Sequence, residues 1–296
     1  MKQLRRTMLF VPANNPNMML NASVFKPDCI IFDLEDAIAI REKDSARDLL
    51  VEALKTIDYE GVEILARVNP LYTPYGKEDV KALIKAGLRN VRYPMSETKE
   101  DIEKLDRLIT ETEKELGIEE GSVKILGAIE TAKGVINAPQ IATASTRMVG
   151  ISFGAEDFTR TIGAERSKGA EELFVARSQI VLAAASAGID AIDTVFADVE
   201  DMEGFEREVE SAKRLGFAGK SVIHPSQIPA VHKAFTPSEE ELEKALRVMD
   251  AINEAEKKGL GVISLDGKMV DAPVVARAAK IVRLAEGAGM IQEVEE

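Results

Sequence analysis

The 296-residue chain holds a single cysteine, Cys29, so no intrachain disulfide can form. It lies inside an apolar run and is expected to fill core rather than act as a nucleophile. Long apolar segments are missing as well. No window approaches ~20 uninterrupted apolar residues, the length of a membrane span. The nearest, LFVARSQIVLAAASAGIDAI, is broken by Arg177, Gln179 and Asp190 and reads as a buried helix running into a strand. The start, MKQLRRTMLFVPANN, has too short an apolar stretch for a signal peptide. A cytoplasmic protein with no membrane partner is expected. Basic residues are outnumbered, with 38 Lys+Arg against 51 Asp+Glu and a net charge of -13. Nucleic acid is therefore not an expected partner, although a local basic pocket for a small anion stays open. There is no Cys cluster, no HExxH and no paired histidine motif, which argues against zinc. Phosphate-binding glycine motifs are absent too. FVPANN follows the first strand without GxGxxG, and GFAGKS has Arg214 where a P-loop requires its first glycine. Lys220 of that stretch is expected to be an interior or rim charge.

What is present is a regular alternation. The chain is 45% hydrophobic and 30% charged, enough for a large core in a soluble protein. Strand-like runs cover 6–12, 28–34, 62–69, 88–94, 123–130, 147–157, 189–196 and 218–225. Between them lie helical patterns such as REKDSARDLLVEALKTI, KEDVKALIKAG, TKEDIEKLDRLITETEKEL and GFEREVESAKRLG, several closed by a glycine C-cap. Strand–helix alternation implies parallel strands with helical crossovers. Eight runs are the number that closes a (β/α)8 TIM barrel, with a doubly wound open sheet as the competing architecture.

Beyond His224-Pro225 the pattern changes. TPSEEELEKALRVMDAINEAEKKG is a helix with a capping box at Ser238 and Glu241. A turn-like VISLDGKMVDAP and a last helix from about residue 273 follow. Residues 1–234 are thus expected to form the barrel. Residues 235–296 are expected to form a C-terminal helical extension that covers the barrel or reaches a neighbouring subunit.

Catalytic groups of a barrel cluster where its strands finish. The runs end in Arg67 and Asn69, Glu130, Glu156 and Asp157, Asp193 and His224, while IIFDLEDAIA ends the second run with Asp33, Glu35 and Asp36. Carboxylates gathered this closely stay ionised only with a cation among them. All are oxygen ligands, which points to Mg²⁺. Glu130 and Asp157 are the best pair, since they end consecutive strands; the alternative is that one is a helix N-cap or an arginine partner. Arg67, inside a strand, serves either a structural salt bridge or a substrate carboxylate. His224 is expected to cap a loop, and His232 to lie on a helix surface. Asp33 is expected to meet a cation or backbone amides in the barrel interior.

Taken in order, RRTMLFVP, FDLEDA with REKDSAR, RVNP with TPYGKEDV, AIET, GAEDF, ARSQIVLAAASAGIDAIDTVFADV, GFAGKSVIHPSQI and GVISLDGKMVDAPVV resemble the citryl-CoA/malyl-CoA lyase family over nearly the whole chain. REKDSAR, TPYGKED and IDTVFADV resemble its citrate lyase β-subunit branch. That resemblance implies a TIM barrel that cleaves a citryl thioester, of CoA or an acyl carrier protein, to oxaloacetate and an acetyl thioester. It implies Arg67 as the substrate-binding arginine and Glu130 and Asp157 as Mg²⁺ ligands, with Glu130 also near substrate. Glu35 and Asp36 would hold metal-bound waters, and Asp271 of a neighbouring subunit would complete the site. For the proton that the enolate must gain, Asp271 is the first candidate acid. The implied partners are a citrate lyase α subunit, an acyl carrier subunit and further copies of this chain as a trimer or hexamer. Two positions depart from the family pattern. Ala13 replaces a common glycine, and Met95 stands where members often carry lysine, which removes a cation from the barrel mouth. Met95 keeps open a malyl-CoA or methylmalyl-CoA lyase or a thioesterase; a non-catalytic subunit retaining the fold is the third reading.

Overall fold

The computed structural model describes residues 4–257, 263–265 and 268–291. Eight strands form a closed parallel barrel in sequence order: β1 Thr7–Pro12, β2 Cys29–Asp33, β3 Glu63–Arg67, β4 Asn90–Tyr93, β5 Lys124–Ile129, β6 Met148–Phe153, β7 Asp190–Asp193 and β8 Gly219–Val222. Pairing of Met8 with Ser221 and Leu9 with Val222 joins the last strand to the first and excludes the open sheet. All eight expected runs form strands, and the fold is the TIM barrel the alternation implied. The strands read as continuous apolar runs because both faces are covered, the inner by the barrel core and the outer by helices. In β2, all five residues are buried.

The crossover helices are α1 Pro16–Asn21, α2 Lys43–Thr56, α3 Gly76–Lys85, α4 Lys99–Leu116, α5 Ala132–Ala142, α6 Ala155–Ile162, α7 Phe174–Ala187, α8 Met202–Leu215 and α9 Ile228–Phe235. Glycines in the left-handed region end α4, α6, α7 and α8, where their positive φ lets the last carbonyls bond back. The expectation of a buried α7 needs correction. Ala176, Ile180 and Ala183 are buried, but Phe174, Val175 and Leu182 are mostly exposed, because a barrel helix buries only the stripe that faces its strands.

Met8, Cys29, Ile31, Leu65, Leu126 and Ile192 pack as one cluster inside the barrel, with Phe10 against them. Side chains alternate along a strand, so the residues two steps onward face the same interior. Asp33 lies two beyond Ile31, Arg67 two beyond Leu65 and Thr194 two beyond Ile192. The polar layer is therefore stacked directly above the apolar one. Cys29 is core, as expected. Burial and the adjacent Glu63 carboxylate push its thiol well above the ordinary range, which suppresses the thiolate.

Residues Arg5–His232 form one compact unit; Leu4 and the described residues from Lys233 onward form another. In the second unit, Ser238 and Glu241 make the expected capping box at the start of α10 Glu239–Lys257. The segment read as turn-like contains an antiparallel pair, β9 Ile263–Leu265 with β10 Lys268–Val270. Val262, Asp266 and Gly267 of the same stretch lie outside the described residues. The last helix, α11 Ala272–Gly287, starts one residue before its expected position and packs on α10.

Candidate active site

A cavity of about 460 Å³ opens where the strands end, and Phe10, Asp33, Asp36, Arg67, Arg92, Glu130, Asp157, Thr194 and Ser221 are among the residues that line it. The parallel register sets one wall. Asp33, Arg67 and Arg92 are direct partners across β2, β3 and β4, so three charges stand side by side at one level.

Arg67 Nε and Nη2 donate to the two oxygens of Asp33 at 2.7 and 2.6 Å. Asp33 also accepts from the Glu35 and Ala37 amides, at 2.9 and 3.1 Å. Burial opposes ionisation of Asp33, but Arg67 and these amides outweigh it and hold its carboxyl below the usual range. The Asp33 reading holds: it meets both a cation and backbone amides. The third Arg67 nitrogen, Nη1, donates to Asp36 at 3.1 Å and lies 2.9 Å from Glu35 Oε2. Lys43 fixes the loop after β2 by donating to the Leu34 and Glu35 carbonyls at 2.9 and 2.7 Å. Burial pushes the Glu35 carboxyl up to about 8; Arg67 opposes this, while Asp36 and Glu130 reinforce it.

Glu130 follows β5 and is 4% exposed, and it makes no ion pair among the described residues. Its Oε2 accepts from the Met95 amide at 2.8 Å. Met95 sits at φ 48, a left-handed conformation uncommon for a side chain with a Cβ, which turns that amide toward the carboxylate. Gly154 makes room for Glu130: a Cβ there would stand 2.5 Å from Glu130 Cγ. Burial raises the Glu130 carboxyl, with Arg92, the Met95 amide and Arg67 opposing and Asp157 adding to the rise. Asp157 does not end a strand. It lies in the first turn of α6, where it pairs with Arg160.

No three His, Cys, Asp or Glu side chains stand at metal-binding spacing among the described residues. Glu130 and Asp157 nonetheless suit Mg²⁺, which usually takes one or two carboxylates and fills its other positions with water and substrate. They line one cavity and repel each other, and the buried member has no cation of its own.

A model of the HpcH/HpaI aldolase/citrate lyase family matches residues 6–225. The chain belongs to this family. It is 50% identical over 284 residues to citrate lyase subunit beta of Leuconostoc mesenteroides subsp. cremoris, covering 96% of this chain and 94% of that one. CitE from Mycobacterium tuberculosis, in a crystal structure with magnesium, acetoacetate and coenzyme A, is 32% identical and superposes with a TM-score of 0.76, covering 96% of this chain and 99% of that one. A citrate lyase beta subunit of the same organism complexed with oxaloacetate and magnesium is 32% identical, with a TM-score of 0.68 over 79% of this chain and 98% of that one. The chain is accordingly a lyase. None of its described helices is long and apolar enough to cross a membrane.

Other members of the strand-end set fall elsewhere. Asp193 was grouped with the mouth carboxylates, but it is absent from the cavity wall. It follows the inward Ile192 by one residue and so takes the outer face, where Arg177 and Lys220 donate to it at 2.8 and 2.9 Å. Lys220 is fully buried there, an interior charge. Asn69 Nδ2 donates to Asp79 and to the Leu34 carbonyl, a structural tie. His224 caps the turn at Pro225–Gln227 as expected. His232 is a correction: it is half-buried, with Nε2 2.9 Å from Thr7 Oγ1 and 3.4 Å from Asp28 Oδ1, because α9 packs that face against the feet of β1 and β2. Asp271 lies in the other unit, exposed, and caps α11 by accepting from the Val274 amide. Sequence reasoning missed Arg92 and Gly154. The signal for Arg92 was the one that marked Arg67, a lone arginine within an apolar strand.

Proposed function

We propose that this family member cleaves a citryl thioester to oxaloacetate and an acetyl thioester by retro-Claisen chemistry. The observation that carries the reading is the cavity itself, where a buried carboxylate without a cation and Asp157 face two guanidiniums across one volume. The 50% identity to a citrate lyase subunit beta supports the citryl substrate. Glu130 and Asp157 would hold Mg²⁺, which when bound supplies a Lewis acid toward the oxygen of the tertiary hydroxyl.

The chain's own residues supply the rest. Asp36 lines the cavity and takes the hydroxyl proton, with Glu35, whose carboxyl burial raises to about 8, on the other side of Arg67 Nη1. As the C–C bond breaks, the electron pair passes to the acetyl thioester as an enolate and the former alcohol carbon becomes the oxaloacetate carbonyl. Arg67, locked by Asp33, stabilises the developing negative charge without reorganising. Asp271 of a neighbouring copy donates the proton that turns the enolate into the methyl group. The partners proposed are further copies of this chain as a trimer or hexamer, together with an α subunit and an acyl carrier that delivers the citryl group.

Incubation of the purified chain with Mg²⁺ and citryl-CoA, with oxaloacetate followed by NADH oxidation through malate dehydrogenase, tests the reading. Cleavage of malyl-CoA with no oxaloacetate from citryl-CoA would overturn it in favour of a malyl-type lyase.

A further inference from the structure

Five arginines of the described residues are buried: Arg5, Arg67, Arg92, Arg147 and Arg177. Four of them meet a carboxylate directly. Arg5 pairs with Glu63 at 2.7 Å, Arg67 with Asp33 at 2.6 Å, Arg147 with Glu113 at 2.6 Å and Arg177 with Asp193 at 2.8 Å. Arg92 is the exception. At 3% exposure it makes no ion pair among the described residues. Its Nε and Nη2 reach only the Ser152 hydroxyl, at 3.3 and 3.1 Å, and its Nη1 donates to nothing. Its guanidinium lies over the Phe10 ring at 4.7 Å from the centroid, and Arg67 lies over the same ring at 5.2 Å. Two like charges thus converge on one aromatic ring. A desolvated cation placed beside another cation is costly unless an anion arrives to meet it.

No residue of the described chain supplies that anion as an ion pair. Glu130 is within electrostatic range of Arg92 but forms no ion pair with it, and a divalent cation on Glu130 and Asp157 would draw that charge away. Arg67 is not the receptor either, because each of its nitrogens already faces Asp33, Asp36 or Glu35. Among the described residues of the cavity, Arg92 Nη1 is an unclaimed charged donor. A second buried polar atom without a partner, Ser221 Oγ, belongs to the same wall.

We propose that Arg92, braced by Ser152 and cushioned on Phe10, is a carboxylate subsite that reads the second carboxylate of the substrate acid, the one remote from the reacting carbon. The assignment rests on the lyase reading above and deepens it. In a citryl thioester the carboxylate beside the tertiary hydroxyl belongs to the reacting centre, and the carboxymethyl arm carries the other. A malyl thioester has no such arm. Arg92 therefore selects a 2-oxo dicarboxylate product over a 2-oxo monocarboxylate. It supplies the discriminating positive charge from the cavity wall, whereas Met95, where members of the family often carry lysine, supplies none.

The test reads affinity rather than turnover. Binding of oxaloacetate and of pyruvate is measured by calorimetry in the presence of Mg²⁺ for the unmodified chain, Arg92→Gln and Arg92→Lys. The unmodified chain is expected to prefer oxaloacetate at least ~10-fold, the scale of one charge-assisted pair. Arg92→Gln should abolish that preference while changing pyruvate affinity less than about twofold, and Arg92→Lys should recover part of it. Arg92→Gln should also melt at or above the parent temperature, because it removes an uncompensated charge from the interior. Equal losses for both acids, an unchanged preference, or a variant that no longer folds would each overturn the subsite. Failure of the lyase reading shows separately, as absence of citryl-CoA cleavage by the unmodified chain.

Discussion

Replacing Gly154 with alanine is the most direct probe of how the site is held. Gly154 has φ -108 and ψ 91, which any residue adopts, so backbone freedom does not explain a glycine there. Space does. A Cβ would stand 2.5 Å from Glu130 Cγ, 3.0 Å from its Oε1 and 3.2 Å from its Cδ. Carbon atoms sit at about 3.5–4.0 Å in ordinary contact, so the Glu130 side chain must retreat by about 1 Å. It cannot retreat freely, because it is buried and its Oε2 is tied to the Met95 amide. A displacement of about 1 Å in a positioning group can cost roughly 100-fold in rate, or about 2.7 kcal/mol of transition-state stabilisation. Stability should fall by no more than about 2.6 kcal/mol. Overpacking costs about 1–3 kcal/mol, offset by about 0.4–1 kcal/mol from the reduced freedom of the unfolded chain. The assay is kcat/KM for citryl-CoA in a cycle of Gly154→Ala, Glu130→Ala and the double variant. If the methyl acts through Glu130, the double variant is no worse than Glu130→Ala alone. Activity of Gly154→Ala within about threefold of the parent, or losses that simply add, would refute the reasoning.

Arg67→Ala and Asp157→Ala should each lower cleavage by at least ~100-fold with circular dichroism unchanged, the size of losing one preorganised charge; near-normal turnover in either would remove it from the site. Asp271→Ala should be inactive alone yet regain activity when mixed with Arg67→Ala, and no recovery on mixing would exclude a shared site. Glu113 gives a pH signature remote from the chemistry. It is fully buried, and although burial opposes its charge, Arg147 and the Val123 and Gly121 amides hold its carboxyl down to about 2. A depressed carboxyl stabilises the fold fully above the unfolded value near 4.5, and that contribution fades as pH falls from there toward 2. The contribution is about 3 kcal/mol at neutral pH, so denaturant midpoints of Glu113→Gln should fall at pH 7 and lose much of their slope between those limits.

The barrel was legible because its strands are covered on both faces and so stand out as apolar runs between amphipathic helices. The seam from β8 to β1 was not legible, since closure is a long-range pairing that leaves no local mark. The site was legible wherever a charge interrupts an apolar strand, as at Asp33 and Arg67. Gly154 left no such mark. Its role comes from a side chain that approaches from the neighbouring strand, and only the packing reveals it.

Asp193 and Arg92 show what would have sharpened the reading, and both turn on parity. Asp33 and Asp193 each close a strand, yet one lines the cavity and the other is buried outside the barrel. The difference is the count from the nearest interior residue: two from Ile31 to Asp33, one from Ile192 to Asp193. The same count from Leu65 sends Arg67 inward, and the direct pairing of Arg67 with Arg92 carries that orientation to the next strand. A strand-end charge is thus a site residue only when it shares phase with the barrel filling. That rule removes Asp193, keeps Asp33 and Arg67, and admits Arg92. The consequence is chemical as well as geometric, because Arg67 is matched by Asp33, Asp36 and Glu35 while Arg92 beside it makes no ion pair among the described residues. It is at Arg92 that a ligand would bring a further negative group to this wall.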